Sequence, residues 1–529
     1  MPDRPNILLI HTDEQRADTL GSYGNDLVET PHIDRLDRDG VRFDEGHCTH
    51  PLCCPSRGSL LTGRYPSVNG LWRNGLALPD EETTIAEVLR DEGYQTGLVG
   101  KAHFQPYMGD PDEFQESVST RTVENTDTVW DSWRDFAGPY YGFDDVRMTI
   151  RHGHRELWGG HYGLWVREEH PETVDLFPQD AALESTDHEY NTWKSAVPVE
   201  VHSSTWVGDN AIDFIEEHTG TDPFFGWIGF PDPHFPYNPP EPYCYRYDPE
   251  DVTLPADSDG EVWEGQDVPR YITYHLEEKY GTDWREVPEE IQREMIAHYY
   301  AMVDLVDDQV GRILKTLDEQ GIADETLVVF TSDHGDWLGD HGLFQKGIPH
   351  TRGLTRIPWM IRWPGVAEAG RRIEAPTSQV DLMPTLLDAA GAEIPYGVQG
   401  ESLRPVLTGE RESLRPFALV EHRHEAHRED SPLVANMDGD MDMLSVMDNL
   451  VNWTGEDIHV ETVYAEDHRL SYVTGVDEDY GELFDLAADP EGMENLWQSD
   501  PERRCELLPH LVEALIHAKD PLPERRFPV

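Results

Sequence analysis

The stretch Thr326-Leu327-Val328-Val329-Phe330-Thr331-Ser332-Asp333-His334-Gly335 joins an unbroken apolar run to an acid, an imidazole and a glycine. Four consecutive apolar residues, 327–330, fit a strand buried on both faces rather than one with a wet side. Pro5-Asn6-Ile7-Leu8-Leu9-Ile10 repeats the pattern and is soon followed by Asp13-Glu14. Gln95-Thr96-Gly97-Leu98-Val99 runs into Gly100-Lys101-Ala102-His103, and the strand-like residues 223–230 run into Pro233-His234-Phe235-Pro236. Residues 357–362 read as a further strand. Between these segments lie helical patterns: residues 31–36 with Pro in the first turn, 84–89, and apolar residues at helical spacing over 291–317. Strands separated by helices predict an α/β fold, a mostly parallel sheet sandwiched by helices. Ligands of such sheets collect beyond the carboxyl ends of the strands.

The chain has 529 residues, room for one large domain and a smaller one. The texture changes after about residue 408. Residues 423–460 are strongly acidic and Met-rich, Arg469-Leu470-Ser471-Tyr472-Val473 and Glu482-Leu483-Phe484-Asp485-Leu486 read as strands, and a last helix runs near 505–519. The expected organisation is a large α/β domain over 1–408 and a smaller α+β domain over 409–529, with an antiparallel sheet and the terminal helix. Residues 105–200 read as a long irregular insertion able to shape a pocket, their Trp and Tyr as packing. Residues 235–290 read as loop.

The net charge is −63, from 104 acids against 41 Lys and Arg, and only six of those cations are Lys. At low salt such a surface repels itself; at molar salt the Debye length falls to about 3 Å and the repulsion is screened. The composition therefore predicts an acidic, halophilic protein. It argues against nucleic acid or an anionic membrane as partner, and an anionic substrate would need a local basic pocket. Five cysteines, Cys48, Cys53, Cys54, Cys244 and Cys505, do not read as a disulfide framework. Residues 7–10 are too short for the apolar core of a signal peptide and run into acids. No run approaches the ~20 apolar residues of a membrane helix. A soluble protein of a high-salt cytoplasm is expected; its oligomeric state has no sequence signal.

The most specific signal is Cys53-Cys54-Pro55-Ser56-Arg57-Gly58-Ser59-Leu60-Leu61-Thr62-Gly63-Arg64. It resembles the sulfatase signature, Cys-x-Pro-Ser-Arg followed by x-x-x-Leu-Thr-Gly-Arg, and every fixed position matches. The resemblance implies the fold of the alkaline phosphatase superfamily and hydrolysis of a sulfate monoester to alcohol and inorganic sulfate. It also implies that Cys53 is oxidised to formylglycine by a separate formylglycine-generating enzyme. A hydrated aldehyde offers two hydroxyls, one to attack sulfur and one to collapse and expel sulfate. Pro55 suits the first turn of a helix, and helix N-termini favour anions. Arg57 is the implied stabiliser of the nucleophile.

The same resemblance gives roles to the strand-end residues. Asp13, Glu14, Asp333 and His334, with Cys53, match the set that holds one divalent cation in this family. Hard oxygen ligands suit Ca²⁺ first, or Mg²⁺; His334, where many relatives carry Asn, adds a nitrogen that suits Mn²⁺. Glu14 departs from the usual Asp. Lys101 matches a sulfate-binding Lys, His103 the base that drives sulfate elimination, and His234 the proton donor to the leaving alcohol. Lys346, twelve residues beyond His334, matches a Lys that contacts sulfate and assists the leaving group. His11, His47, His50, His341 and His350 lie near these motifs as supporting or substrate contacts. The resemblance extends through residues 358–365, 380–387 and 482–496, leaving 105–220 and 423–465 unmatched. The discriminating loops lie there, so sulfated small molecule and sulfated glycan both remain as substrate. Two alternatives stand beside this reading: a phosphonate or phosphate ester hydrolase of the same superfamily, and an unmatured member that binds sulfated glycans.

Overall fold

The computed structural model describes residues 4–519 apart from 153–156, 185–189, 221, 264–271, 273–282, 425–457 and 477–479. Most of the acidic, Met-rich stretch at 423–460 thus lies outside the described residues. The large unit contains strands β1 (Asn6–Thr12), β2 (Val41–Phe43), β3 (Gly46–His47), β4 (Gln95–Lys101), β5 (Asp145–Thr149), β6 (Phe224–Gly229), β7 (Thr326–Ser332), β8 (Trp359–Arg362), β9 (Arg371–Ile373) and β10 (Thr377–Ser378). Eight form one sheet in the order β5-β4-β6-β1-β7-β8-β2-β9. The run from β5 to β7 is parallel throughout. β8 lies antiparallel to β7 and β2, and β9 returns to parallel with β2.

The helices that matter here are α1 (Ile33–Asp39), α2 (Cys53–Thr62), α3 (Ile85–Asp91), α4 (Thr126–Asp135), α5 (Gly160–Glu169), α6 (Ser203–His218), α7 (Glu289–Glu319), α8 (Leu382–Ala390) and α9 (Pro501–Ala518). Alternate residues of the central strands feed two separate cores. Ile7, Leu9, Leu327 and Val329 pack with Leu60 and Leu61 of α2, Ile85 and Leu89 of α3, and Leu386 and Leu387 of α8. Leu8, Ile10, Val328 and Phe330 pack with Phe214 and Ile215 of α6 and with Met302, Val306 and Val310 of α7. Period-2 alternation serves two dry faces at once, which is why the strands read as continuous apolar runs. Each such side chain contributes about 1.5–3 kcal/mol on burial. The start of α3 is fixed by a capping box: Thr84 Oγ1 accepts from Glu87 N at 3.1 Å, and Thr84 N donates to Glu87 Oε2 at 3.0 Å.

Residues 105–200 are more ordered than the sequence suggested. They supply α4, α5 and the edge strand β5, whose Thr149 pairs with Lys101 of β4. β5 is five residues, of which Val146, Met148 and Thr149 are buried and Asp145 and Arg147 partly so, an edge strand without the continuous apolar run that marks the central ones.

Later in the chain, β11 (Phe417–His424), β12 (Ile458–Ala465), β13 (His468–Thr474) and β14 (Gly481–Asp485) form an antiparallel sheet in sequence order. α9 covers one face, with Leu507, Leu511 and Ala514 against Phe417, Leu419, Val463 and Leu483. The other face docks on the large unit: Val420 and Tyr464 against Cys48 and Ile357, and Val460 and Val473 against Trp337 and Ile348. Backbone joins them too, since Glu421 N donates to Thr49 O at 2.8 Å. Among the described residues no helix is long and apolar enough to cross a membrane.

Candidate active site

The carboxyl ends of β1, β4, β6 and β7 converge on the first turn of α2. β1 delivers Asp13 and Glu14, β7 delivers Asp333 and His334, Lys101 is the last residue of β4, and His234 follows β6. Cys53 is the first residue of α2, with Leu52 as its extended N-cap. Two glycines let β4 and β6 come this close. A Cβ at Gly100, where φ is +93°, would meet Gly229 O at 2.0 Å, and one at Gly229 would meet Lys101 O at 2.4 Å.

Cys53 Sγ stands at the centre of a charged network. It lies 3.1 Å from Lys346 Nζ, 3.4 Å from Asp13 Oδ1, 3.4 Å from His334 Nε2 and 4.0 Å from Lys101 Nζ. Lys101 also donates to Asp13 Oδ2. Arg57, one turn into α2, reaches behind: Nε donates to Asp333 Oδ2 at 2.7 Å, Nη1 to Lys101 O at 2.9 Å, and Nη2 lies 3.8 Å from Asp13 Oδ2. Asp333 Oδ1 accepts the backbone N–H groups of Glu14 and His334, each at 2.9 Å. Glu14 sits in the left-handed region at φ 67°, a conformation uncommon without glycine and here over-determined by these bonds.

The buried charges set one another's protonation. Burial works against ionising Asp13, yet Lys101, His234 and Arg57 together hold its carboxyl well below the usual range. Glu14 goes the other way: burial, helped by the nearby acids Asp336 and Asp13, pushes its carboxyl well above the usual value despite Lys346. Burial, then Asp13, pushes the Cys53 thiol up to about 12. As a thiol, Cys53 is protonated at neutral pH and a poor nucleophile. Burial lowers His334 to about 4, and takes His103 and His234 well below the ordinary imidazole value.

Asp13, Cys53, Asp333 and His334 each offer a ligand atom, all within 4.8 Å of one another and all buried. Two carboxylates and an imidazole around a position that would carry oxygen after oxidation fit a divalent cation of the Ca²⁺, Mg²⁺ or Mn²⁺ class. Glu14, expected in the same ligand set, stands outside this group. Its Oε2 is taken by Lys346 Nζ at 2.9 Å and His234 Nε2 at 3.1 Å. The extra methylene and left-handed backbone turn the carboxylate toward these bases.

The network gathers Asp13, Glu14, Cys53, Arg57, Lys101, His234, Asp333, His334 and Lys346. His103 stands beside it: its ring stacks on Tyr107 at 4.0 Å, and burial, with the charges of Lys101 and Arg57, disfavours its protonation. The other expected histidines do different work. His11 packs edge-on against Trp227 and His47 stacks on Tyr464. His50 lies against His422, His341 pairs with Asp257 at 3.2 Å, and His350 bonds Thr462 at 2.8 Å.

Three residues had no sequence signal. Glu116 accepts the backbone N–H groups of His103, Phe104 and Gln105 at 2.8, 2.7 and 3.0 Å, pinning the loop past β4. Gln379 ties the approach to α2 to the end of β7, accepting from Thr49 N at 3.1 Å and donating to Ser332 O at 2.8 Å. His152 lies beside Lys101, Asp13 and His234.

The chain is similar to known proteins along most of its length. The Sulfatase family profile matches residues 5–392. An arylsulfatase of Clostridium perfringens is 29% identical, over 94% of this chain and 91% of its own length. An N-acetylglucosamine-6-O-sulfatase of Bacteroides thetaiotaomicron is 25% identical, over 99% of this chain and 88% of its own. The crystal structure of a phosphonate monoester hydrolase of Agrobacterium radiobacter superposes with a TM-score of 0.76 at 25% identity, covering 98% of this chain and 96% of that one.

Proposed function

We propose that this chain, which belongs to the sulfatase family, hydrolyses a sulfate monoester to alcohol and inorganic sulfate, with residue 53 matured to formylglycine as the nucleophile. The observation that carries this reading is the placement of Cys53 Sγ between the ammonium groups of Lys346 and Lys101 at the opening turn of a helix. That is a seat for a small oxyanion inside a protein of charge −63. The buried, protonated thiol makes the unmodified side chain a poor candidate for the attack.

In this reading Lys101 and Lys346 bind the sulfonate oxygens. Arg57 holds Asp13 and Asp333 in place and adds positive charge behind the nucleophile. A divalent cation held by Asp13, Asp333, His334 and residue 53 would polarise the sulfonate and favour ionisation of the attacking hydroxyl. As the S–O bond breaks, His234 and the Lys346 ammonium together assist the leaving oxygen in taking up its proton. His103 accepts the proton of the remaining hydroxyl when sulfate is expelled. Glu14 aligns Lys346 and His234. The N-acetylglucosamine-6-O-sulfatase relative favours a sulfated sugar as substrate.

The test has two parts. Mass analysis of the peptide holding Cys53 reads the thiol-to-aldehyde conversion, and turnover of an aryl sulfate by wild type and Cys53→Ala reads its use. A matured protein that ignores sulfate esters would end the proposal. A second reading, phosphonate or phosphate ester hydrolysis, is favoured by the likeness to the phosphonate monoester hydrolase; faster turnover of aryl phosphonates or phosphate diesters than of aryl sulfates would establish it. Persistence of the unmodified thiol would favour the glycan-binding alternative.

A further inference from the structure

His152 reaches the site from the edge of the sheet. It follows β5 by three residues, and β5 runs beside β4 with Thr149 opposite Lys101. Its Nδ1 lies 3.1 Å from Lys101 Nζ and 3.4 Å from Asp13 Oδ2. An ammonium only donates and a carboxylate only accepts; with the ring proton on Nε2, Nδ1 accepts from Lys101, the nearer of the two, while Asp13 keeps its own bond from Lys101. The same ring stacks on His234, with centroids 3.5 Å apart and planes 20° from parallel. Its side chain is 15% exposed where that of Asp13 is fully buried, so His152 forms part of the outer wall of the site, on the solvent side.

These contacts address two side chains that need restraint. Lys101 carries its charge on a flexible four-carbon stem; Asp13 and, at 4.0 Å, the Cys53 sulfur hold the ammonium from the inner side, and His152 holds it from the outer. His234 is anchored by Phe235 O at Nδ1 and by Glu14 at Nε2. Those two bonds define an axis through the ring, and rotation about it is restrained by stacking on both His152 and Phe235, whose ring centroid lies 4.2 Å away.

We propose that His152 is a positioning residue with two separable tasks: its Nδ1 fixes the Lys101 ammonium for the sulfonate group, and its ring face fixes the plane of His234 for the leaving oxygen. The proposal rests on the sulfate-ester reading above. The tasks bear on different halves of the reaction. Sulfonate binding matters equally for every ester. Proton delivery matters most when the departing alkoxide is basic, as in a sugar or alkyl sulfate, and least for a nitrophenolate.

The two tasks can be separated by substitution. His152→Asn places an amide oxygen near the position of Nδ1 and removes the ring; His152→Phe keeps a ring and removes the acceptor. In matured, metal-replete protein, His152→Asn is expected to stay within about threefold of wild type in kcat on nitrophenyl sulfate and to lose about tenfold or more on an alkyl or sugar sulfate, the scale of one charged hydrogen bond. His152→Phe is expected to raise KM about tenfold for both esters alike. His152→Ala should show both defects, and thermal unfolding of each variant checks that the fold is kept. The proposal is overturned if His152→Ala stays within twofold of wild type on both esters, or if the Asn and Phe variants share one profile. Wild type inactive on every sulfate ester overturns the underlying reading as well, which distinguishes the two failures.

Discussion

Arg57 and Asp333 are joined by a 2.7 Å ion pair in which neither side chain meets solvent, and the pair ties the first turns of α2 to the end of β7. Breaking a buried pair strands a charge and costs about 3–5 kcal/mol. Arg57→Ala is therefore expected to lower the thermal unfolding midpoint sharply and to remove turnover by at least ~10²-fold. Arg57→Lys keeps the charge but not the three-directional reach to Asp333, Lys101 O and Asp13. It is expected to recover part of the stability and little of the rate. Calorimetry beside aryl sulfate kinetics reads both.

The cation group gives a sharper division among the acids. Asp13→Asn and Asp333→Asn should each cut bound divalent metal, measured per chain by elemental mass spectrometry after gel filtration. Glu14→Gln should leave the metal content near that of wild type, because Glu14 stands outside the group, and should instead slow turnover through Lys346 and His234. Loss of metal from Glu14→Gln with retention by Asp13→Asn would reverse this assignment.

Stability should fall with rising pH through a pair of carboxyl groups on the late antiparallel sheet. Glu421 and Glu461 are direct cross-strand partners on β11 and β12. Burial, then Glu421, raises Glu461 to about 8 against an ordinary 4.5. A raised acid binds its proton more tightly when folded, so its contribution is complete below pH 4.5 and is lost as the pH climbs through about 8. Thermal midpoints of Glu461→Gln should therefore fall less than those of wild type between pH 5 and pH 8.

The surface charge should make stability depend strongly on salt. Raising KCl from 0.1 M to 2 M shortens the Debye length from about 10 Å to a few Å and screens the self-repulsion of a chain with net charge −63. The unfolding midpoint is expected to rise steeply over that range. A flat profile would show that self-repulsion of the acids does not limit the stability of the fold.

The parts of the molecule that were legible are those where one physical demand acts alone. Central strands such as 327–330 must be apolar on both faces, and the signature from Cys53 to Arg64 fixes a helix start and the groups around it. β5 escaped notice because an edge strand alternates and is short. Glu116 and Gln379 escaped because they act on backbone groups, and any buried acid or amide within reach could do so; no residue spacing announces them. Glu14 carries the chemistry of a ligand, but its identity does not show the left-handed turn that aims its carboxylate at Lys346. His152 belongs to the same class, placed by the β4–β5 register rather than by its neighbours in sequence.

The late antiparallel sheet grips the helix of Cys53 at both ends. Glu421 donates its N–H to Thr49 O just ahead of α2, and its carboxylate accepts from Ser67 N and Oγ just after it, at 3.1 and 2.8 Å. The two halves of the protein are thus poor material for recombination. A crossover between homologues anywhere between Ser67 and Glu421 would pair a helix with a clamp shaped for another one, so this architecture should diversify through its surface loops rather than by exchange of modules.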